Sequence, residues 1–310
     1  MYNTTHSVMF HHFHNDQHLP TQGSLSSSDF IQMIDWLNKR YSILNASKYR
    51  EHFMNGTLKE TDICLSFDDA LKCQYDIAIP VMERLGIESF FFVYSSAFTE
   101  NPDPLEIYRY FRNSCYENIN EFYEHFFEVV EQIDIKKFSL LYTKYNELNY
   151  LSNFPFYSEN DKWFRYLRDQ YLMRDQYDEI MSDLMLRKGF DVDLAKQNLW
   201  MSEQDLVITE SKGHIIGLHS YSHPTQMSKL SKTEQKLEYQ KNYEHLSKLI
   251  GIPIHVMSHP CGDYNNITLN ILQDMNIGIG FRSNMSIKEI RSPLEIPRED
   301  HANVFKEMHQ

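Results

Sequence analysis

No basic excess marks this sequence. Its 30 lysines and arginines stand against 43 aspartates and glutamates, a formal net charge of −13. A nucleic-acid-binding protein draws most of its affinity from a basic face, and docking on an anionic bilayer needs the same sign of charge. Neither nucleic acid nor membrane is therefore expected as a partner. Cysteine is sparse: Cys64, Cys73, Cys115 and Cys261, with no C-x-x-C pair among them. That usage reads as reduced thiols, without a disulfide framework. No apolar run approaches the ~20 residues needed to span a bilayer. The opening stretch MYNTTHSVMFHHFHND has neither the basic n-region nor the apolar h-region of a secretory leader. The expectation is a cytoplasmic protein working on something held inside the cell. Internal repeats, low-complexity tracts and Gly/Ser linkers are also missing.

What is present alternates. Short apolar runs at residues 7–10, 41–44, 62–67, 89–93, 215–218, 254–257 and 277–281 read as buried strands. Helical patterns separate them. Residues 28–40 follow a serine cluster able to cap a first turn and carry Phe30, Ile34 and Leu37 at helical spacing. Residues 70–85 stop at Gly86, and residues 231–249 stop at Gly251 and Pro253. Alternating strand and helix favours the parallel α/β class, as a barrel or an open sheet. Residues 104–200 break the rhythm. They carry Phe122, Phe126, Val129, Val130 and Ile133 at helical spacing and no convincing strand. The chain thus divides into a first α/β part (1–103), an all-helical insertion (104–200) and a second α/β part (201–310). Aromatics in the insertion, Trp163, Phe164 and Tyr166, read as helix core ahead of a platform for sugar rings.

Three segments carry chemistry. In Leu65-Ser66-Phe67-Asp68-Asp69-Ala70 an apolar strand runs into two adjacent carboxylates. The carboxyl ends of parallel strands are where α/β folds place their sites. Neighbouring aspartates repel unless a cation or a donor compensates; alternatively, one of them caps the next helix. In Gly217-Leu218-His219-Ser220-Tyr221-Ser222-His223-Pro224 two imidazoles four residues apart follow another apolar strand. Pro224 disfavours helical geometry at His223, so a loop is expected; the alternative is two surface histidines. Together the segments offer one carboxylate and two imidazoles, a three-ligand site with open positions of the kind a hydrolytic metal needs. The second carboxylate is left to act as base. The third segment, Met257-Ser258-His259-Pro260-Cys261-Gly262-Asp263-Tyr264, is a turn able to aim a backbone N–H into a pocket. Cys261 itself is not read as a nucleophile, since nothing nearby marks a depressed thiol pKa.

These segments resemble the polysaccharide deacetylases of carbohydrate esterase family 4, the NodB-homology group. The family's T-F-D-D-G matches Ser66-Phe67-Asp68-Asp69-Ala70, its H-[ST]-x-x-H matches His219 to His223, and the a-Y-P-Y-G-D-Y-N form of its third motif matches Ser258 to Asn265. The resemblance covers residues 7–85 and 213–301. It implies a distorted, incomplete (β/α) barrel, one divalent metal, most often zinc, and hydrolysis of an N-acetyl group on a saccharide. It implies Asp68 as catalytic base, Asp69, His219 and His223 as metal ligands, Ser220 as a brace of their loop, and the Cys261 backbone N–H as an oxyanion donor. There are departures. Ala70 stands where the family has Gly. The third motif has no arginine to pair with the base, and Arg298 is the replacement expected from a later strand. The L-x-x-H motif that supplies a general acid is missing; His301, beside Asp300, is the first candidate, and His11 or His12 the second. His11, His12 and Tyr264 are the expected substrate contacts. A second metal site in the histidine-dense segment 11–14 is not favoured. The insertion falls between the first two motifs, after the strand at 89–93, and is expected to stand over the metal as a lid or a wall, restricting the substrate to a small sugar conjugate or short glycan; the alternatives are packing on the barrel's side or a dimer interface. Two other functions remain open at this point: a C–N hydrolase for a non-sugar amide or formyl group, and an inactive saccharide-binding protein. Oligomeric state is not legible.

Overall fold

Strand β1 is Ser7–Phe10, buried at every position, as a strand covered on both faces must be. The computed structural model describes residues 5–133, 135–152, 157–286 and 290–310. The chain forms two compact units, residues 1–103 with 198–310, and residues 104–197.

In the first unit β1 is followed by α1 (Ser27–Asn38), β2 (Ser42–Ile43), α2 (Ala46–Met54), β3 (Asp62–Ile63), β4 (Leu65–Asp68), α3 (Ile79–Leu85) and β5 (Phe90–Val93). The second unit holds α4 (Leu105–Ser114), α5 (Ile119–Ile133), α6 (Ile135–Asn146), α7 (Glu159–Tyr166), α8 (Arg174–Arg187) and most of α9 (Val192–Leu199). The first unit then resumes with α10 (Glu203–Ser211), β6 (Ile215–Leu218), α11 (Lys232–Ile250), β7 (Val256–Ser258), α12 (Asn266–Asp274), β8 (Ile279–Phe281), β9 (Arg298–Asp300) and α13 (His301–Met308).

Seven strands pair in the order β8-β7-β6-β5-β4-β1-β9, all parallel. The segment leading into β9 returns to β8: Phe281 bridges Ile296, and the Gly280 N–H donates to Pro293 O at 2.9 Å. The sheet is thereby almost closed into the distorted (β/α) barrel. Gly280 is required for that closure, because a Cβ there would lie 2.8 Å from Leu294 Cα. One core cluster gathers Tyr49, Cys64, Phe90, Phe92, Phe281 and Ile296, all fully buried.

The strand assignment differs from the apolar pattern in two places. The run 62–67 is not one strand: it is interrupted at Cys64, and β3 pairs with β2 in a separate two-stranded sheet, while β4 joins the barrel. The short β9 carries Arg-Glu-Asp, which no apolar pattern reveals. The helix expected from residue 70 begins late. Asp69 (φ 77°) and Ala70 (φ 52°) are left-handed, and a π turn over Gln74–Ala78 leads into α3, with Pro80 in its first turn. Proline has no N–H and crowds the carbonyl four residues back, and a wider i→i+5 register accommodates it. Helices α1 and α11 start at serine caps, Ser26 and Ser231, each in a capping box with the acidic residue three positions on.

In the second unit no strand occurs among the described residues. Phe111, Phe122, Phe126 and Phe164 form a fully buried aromatic core, with the Phe126 and Phe164 rings edge-to-face at 4.9 Å. Trp163, Phe164 and Tyr166 are all buried there, so they are packing residues.

His214, just before β6, is buried and accepts the Ser89 N–H at its Nδ1, 3.1 Å away. Burial pulls its pKa down to about 4, against the opposing pull of Glu83. A folded pKa below the unfolded value of ~6.5 means that stability is held above pH ~6.5 and lost as pH falls toward the folded pKa, by an amount on the order of 3 kcal/mol. His214→Asn keeps an acceptor for Ser89 but cannot titrate. Urea denaturation between pH 7 and 4 should show a shallower loss of stability in the variant; parallel curves would remove this role from His214.

Candidate metal centre

The site is made by three strand ends. After β4, the Asp69 N–H still donates to Phe92 O at 3.0 Å, and the chain then reverses through Asp69 and Ala70. Ala70 is pinned in turn, its carbonyl accepting the Met201 N–H at 2.8 Å. After β6, the His219 N–H donates to Val93 O at 3.1 Å, and Ser220 (φ 64°) and His223 (φ 52°) turn the loop. The Ser220 hydroxyl accepts the His223 N–H at 3.1 Å. After β7 comes a tight turn with Cys261 at φ 53°. Five of the seven non-glycine residues with positive φ among the described residues lie in these three loops. Each such conformation costs ~1–3 kcal/mol and persists only where its surroundings over-determine it.

The loops bring Asp69, His219 and His223 together, all buried, with one ligand atom from each inside a mutual 4.8 Å. Asp69 Oδ1 is 3.5 Å from Nε2 of His219 and 3.5 Å from Nε2 of His223. Atoms bound at ~2.0–2.1 Å to a tetrahedral ion lie ~3.4 Å apart, so the donor set fits a divalent metal with an open position. The orientation fits as well. His219 Nδ1 lies 2.9 Å from Ser258 O; a carbonyl can only accept, so Nδ1 carries the proton and Nε2 presents its lone pair to the centre. Burial holds the His219 pKa down to about 3, despite the opposing pull of Asp68, which keeps the ring neutral as a ligand must be.

Asp68 lies beside this centre, its Oδ2 3.9 Å from His219 Nε2. Arg298, the largest side chain with no solvent exposure, grips it in a bidentate pair, Nη1 to Oδ1 at 2.7 Å and Nη2 to Oδ2 at 2.6 Å. The other donors of the guanidinium go to Ser66 Oγ (3.3 Å), Ser258 Oγ (2.6 Å) and Arg282 O (2.5 Å). All five N–H groups are used. Burial alone would raise the Asp68 carboxyl; Arg298, by its charge and its hydrogen bonds, outweighs it and holds the carboxyl well below the usual carboxylate range. Ser66 and Ser258 belong to this arrangement although pattern reading passed over them. Their only signal was a small polar residue in each of two otherwise apolar strands.

The remaining candidates separate. His11 approaches, its Nε2 3.8 Å from Asp68 Oδ2, and the His12 ring stacks beside it at 6.3 Å between centroids. His301 is engaged elsewhere. Its Nδ1 faces Met9 O at 3.2 Å, its Nε2 faces Gly23 O at 2.7 Å, and its ring stacks on Phe10. Each nitrogen thus faces a backbone carbonyl, and a neutral ring donates to one of the two. The Tyr264 hydroxyl donates to Glu295 at 2.8 Å, and its ring stacks on His259 at 4.1 Å. His259 is itself buried and bonded to Leu294 O at 2.8 Å. Tyr264 thus supports the third loop. Cys261 is exposed.

Removing Arg298 would strand the Asp68 carboxylate in the interior. Arg298→Met should lower stability by ~3–5 kcal/mol, the usual cost of breaking a buried pair from one side. Urea denaturation at pH 7 measures it, and a loss under ~1 kcal/mol would mean that the pair contributes little to the fold.

With the geometry in place, comparison with known proteins is informative. The family model for polysaccharide deacetylase matches residues 194–279. No curated protein matches. Among solved structures, the Streptococcus pyogenes deacetylase PplD in complex with acetate superposes at TM-score 0.55 with 14% identity, over 97% of this chain and 93% of its own. IcaB from Ammonifex degensii superposes at 0.57 with 12% identity, over 96% and 91%. A de-N-acetylase from Aggregatibacter actinomycetemcomitans does so at 0.55 with 14% identity, over 95% and 93%. At such identities the structural likeness speaks for the fold. In the sequence of residues 194–279 and in the fold of its barrel, the chain resembles the NodB-type polysaccharide deacetylases.

Proposed function

We propose that this protein hydrolyses the N-acetyl group of a saccharide at a divalent metal, zinc by donor preference, held by Asp69, His219 and His223. The observation that carries the reading is the position of Asp68: an ionised carboxylate, fixed by Arg298, 3.9 Å from a ligand nitrogen of the three-residue cluster. The match to the polysaccharide deacetylase model over residues 194–279 supports the acetylated saccharide. A fold shared with a de-N-acetylase supports the amide over the ester.

A divalent ion at such a site acidifies water and polarises a carbonyl. The protein's own groups would then act as follows. Asp68 accepts the proton of the attacking water through Oδ2. A carboxylate held below its ordinary range is ionised at neutral pH, the form able to accept a proton. Arg298 keeps both oxygens in plane and in place. The Cys261 N–H, in the left-handed turn after β7, is the proposed donor to the tetrahedral oxyanion. For the general acid, His11 is the better candidate than His301, because it faces Asp68 while the His301 ring is turned to two backbone carbonyls. Burial holds His11 at about 4 in the protein alone, against the pull of Asp68 and Asp300. Negative charge developing beside it is what would raise it enough to protonate the departing amine.

Acetate release is the test. Metal-stripped and zinc-loaded protein should be assayed on free, nucleotide-linked and polymeric N-acetyl sugars, with an N-formyl sugar and a non-sugar acetamide as controls. Turnover on at least one saccharide is expected, lost on chelation, abolished in Asp69→Ala and reduced ~10²–10⁴-fold in Asp68→Asn. Turnover of the controls alone would move the assignment to another C–N hydrolase. Binding of saccharides with no turnover would make this a saccharide-binding protein. The ranking of short conjugates against polymers decides the substrate size.

A further inference from the structure

Helix α11 carries polar residues where its inner face meets the barrel. Gln235, Glu238, Asn242 and His245 follow one another at helical spacing, and Gln235 and Asn242 have no solvent exposure. Buried polar side chains cost stability unless they are bonded, so each should have a partner. Two of them, Glu238 and Asn242, bond the loop that carries the two histidines, and a third, His245, is joined to Asn242 through Ser95.

The Glu238 carboxylate accepts the Tyr221 N–H at 3.0 Å, the Ser222 N–H at 2.8 Å and the Ser222 hydroxyl at 2.7 Å. Asn242 Oδ1 accepts the His219 N–H at 3.0 Å, while its Nδ2 donates to Val93 O at 2.9 Å and to Ser95 Oγ at 2.7 Å. His245 Nδ1 meets the same Ser95 Oγ at 2.8 Å, and its Nε2 lies 3.0 Å from Glu203 Oε1. The turn after β5 closes the arrangement from the other side, with the Ser95 and Ser96 N–H groups donating to Ser220 O (3.4 Å) and Tyr221 O (2.8 Å). Between His219 and His223 the backbone is held almost atom by atom, from outside the metal cluster.

Ser95, His245 and Glu203 have the connectivity of a nucleophilic triad. Ser95 is only 2% exposed, however, and its Oγ already accepts from Asn242. No substrate carbonyl can reach it, so the chain of bonds is a brace. Gln235 serves the far end of the helix, joining Leu230 O (2.9 Å) and Thr268 Oγ1 (2.6 Å).

We infer that α11 is a positioning element for the metal ligands: Glu238 and Asn242 hold the His219–His223 loop in the strained shape that aims both imidazoles at Asp69, and His245 holds Asn242 through Ser95. Ser220 and His223 sit at positive φ, a conformation that the free loop would leave. Holding it in advance removes the ordering cost from metal binding. The inference rests on the metal-binding reading above.

Zinc affinity of the metal-stripped full-length protein tests it, by competition against a chromophoric chelator. The proteins are wild type, Glu238→Ala, Glu238→Gln and Asp69→Ala. Glu238 is half-buried, so its variants should fold, and the melting temperature of each metal-free protein checks that. Glu238→Ala should bind zinc ~10–100-fold more weakly with a metal-free melting temperature close to wild type. Glu238→Gln, which keeps one acceptor oxygen for the loop, should recover part of the loss. Zinc affinity of Glu238→Ala within twofold of wild type overturns the positioning role while leaving the metal site intact. Wild-type protein without zinc affinity, or Asp69→Ala binding as tightly as wild type, overturns the metal reading and this inference with it.

Discussion

A guanidinium with no solvent exposure sits against the Asp68 carboxylate, and most of the barrel's active end is arranged around that pair. A buried charge survives only when partnered and fully hydrogen-bonded. Arg298 meets both conditions by drawing on β4 through Ser66 and Asp68, on β7 through Ser258, and on the segment after β8 through Arg282 O. Strand β4 is not a neighbour of β7 or β8 in the sheet order, and β9 is next to none of the three. One side chain from β9 therefore ties strands across the interior, and the register of each is constrained by the need to deliver its acceptor. A slip of one residue in β4 would send Asp68 to the opposite face and leave the guanidinium facing a phenylalanine.

The same pair divides the labour between two adjacent aspartates. Asp68 and Asp69 follow each other in sequence, yet the left-handed turn at Asp69 separates their side chains into different jobs. Asp68 ends the strand and faces Arg298. Asp69 leaves the strand and faces the histidines. Repulsion between neighbouring carboxylates is met on one side by a cation within the chain and on the other by a donor set suited to a cation from outside. Ala70 takes up a left-handed conformation at φ 52°, where a glycine would be unstrained. The strain is held by the Met201 bond and by the Leu71–Trp200 bridge.

Much of this was legible in sequence, for identifiable reasons. A parallel barrel strand is apolar on both faces, so β1, β5 and β6 stand out as continuous runs. Asp69, His219 and His223 follow such runs directly, which places them at one end of the sheet. Other features could not be read. β9 is three charged residues whose pairing with β1 depends on the whole barrel being closed. Ser66 and Ser258 look like incidental small residues until Arg298 is seen between them. His301 attracts attention in sequence because an acidic residue precedes it. In the fold Asp300 instead caps α13, accepting the Ala302 N–H at 2.8 Å, and the imidazole turns inward to two carbonyls. The two residues are adjacent in sequence but serve different ends, because a helix begins between them.

Helix α11 is the least legible element of the site. Its run Lys-Thr-Glu-Gln-Lys-Leu-Glu-Tyr-Gln-Lys-Asn-Tyr-Glu-His reads as a solvated surface helix, because pattern arguments assume that the inner face of a helix is apolar. Here the inner face meets the ends of β5 and β6 and the loops that leave them, where the His219 N–H makes the last bond between the two strand ends, to Val93 O, and the Tyr221 and Ser222 N–H groups lie beyond it. Those groups are buried and need bonding. An apolar face could cover them but could not satisfy them. Asn242, offering both a donor and an acceptor, adds a second bond to each member of the Val93 O and His219 N–H pair, and the Glu238 carboxylate takes two further N–H groups at once. A parallel barrel that opens its strand ends to build a site thus needs a polar helix behind the opening, and that requirement follows from hydrogen-bond satisfaction before any demand of catalysis is considered.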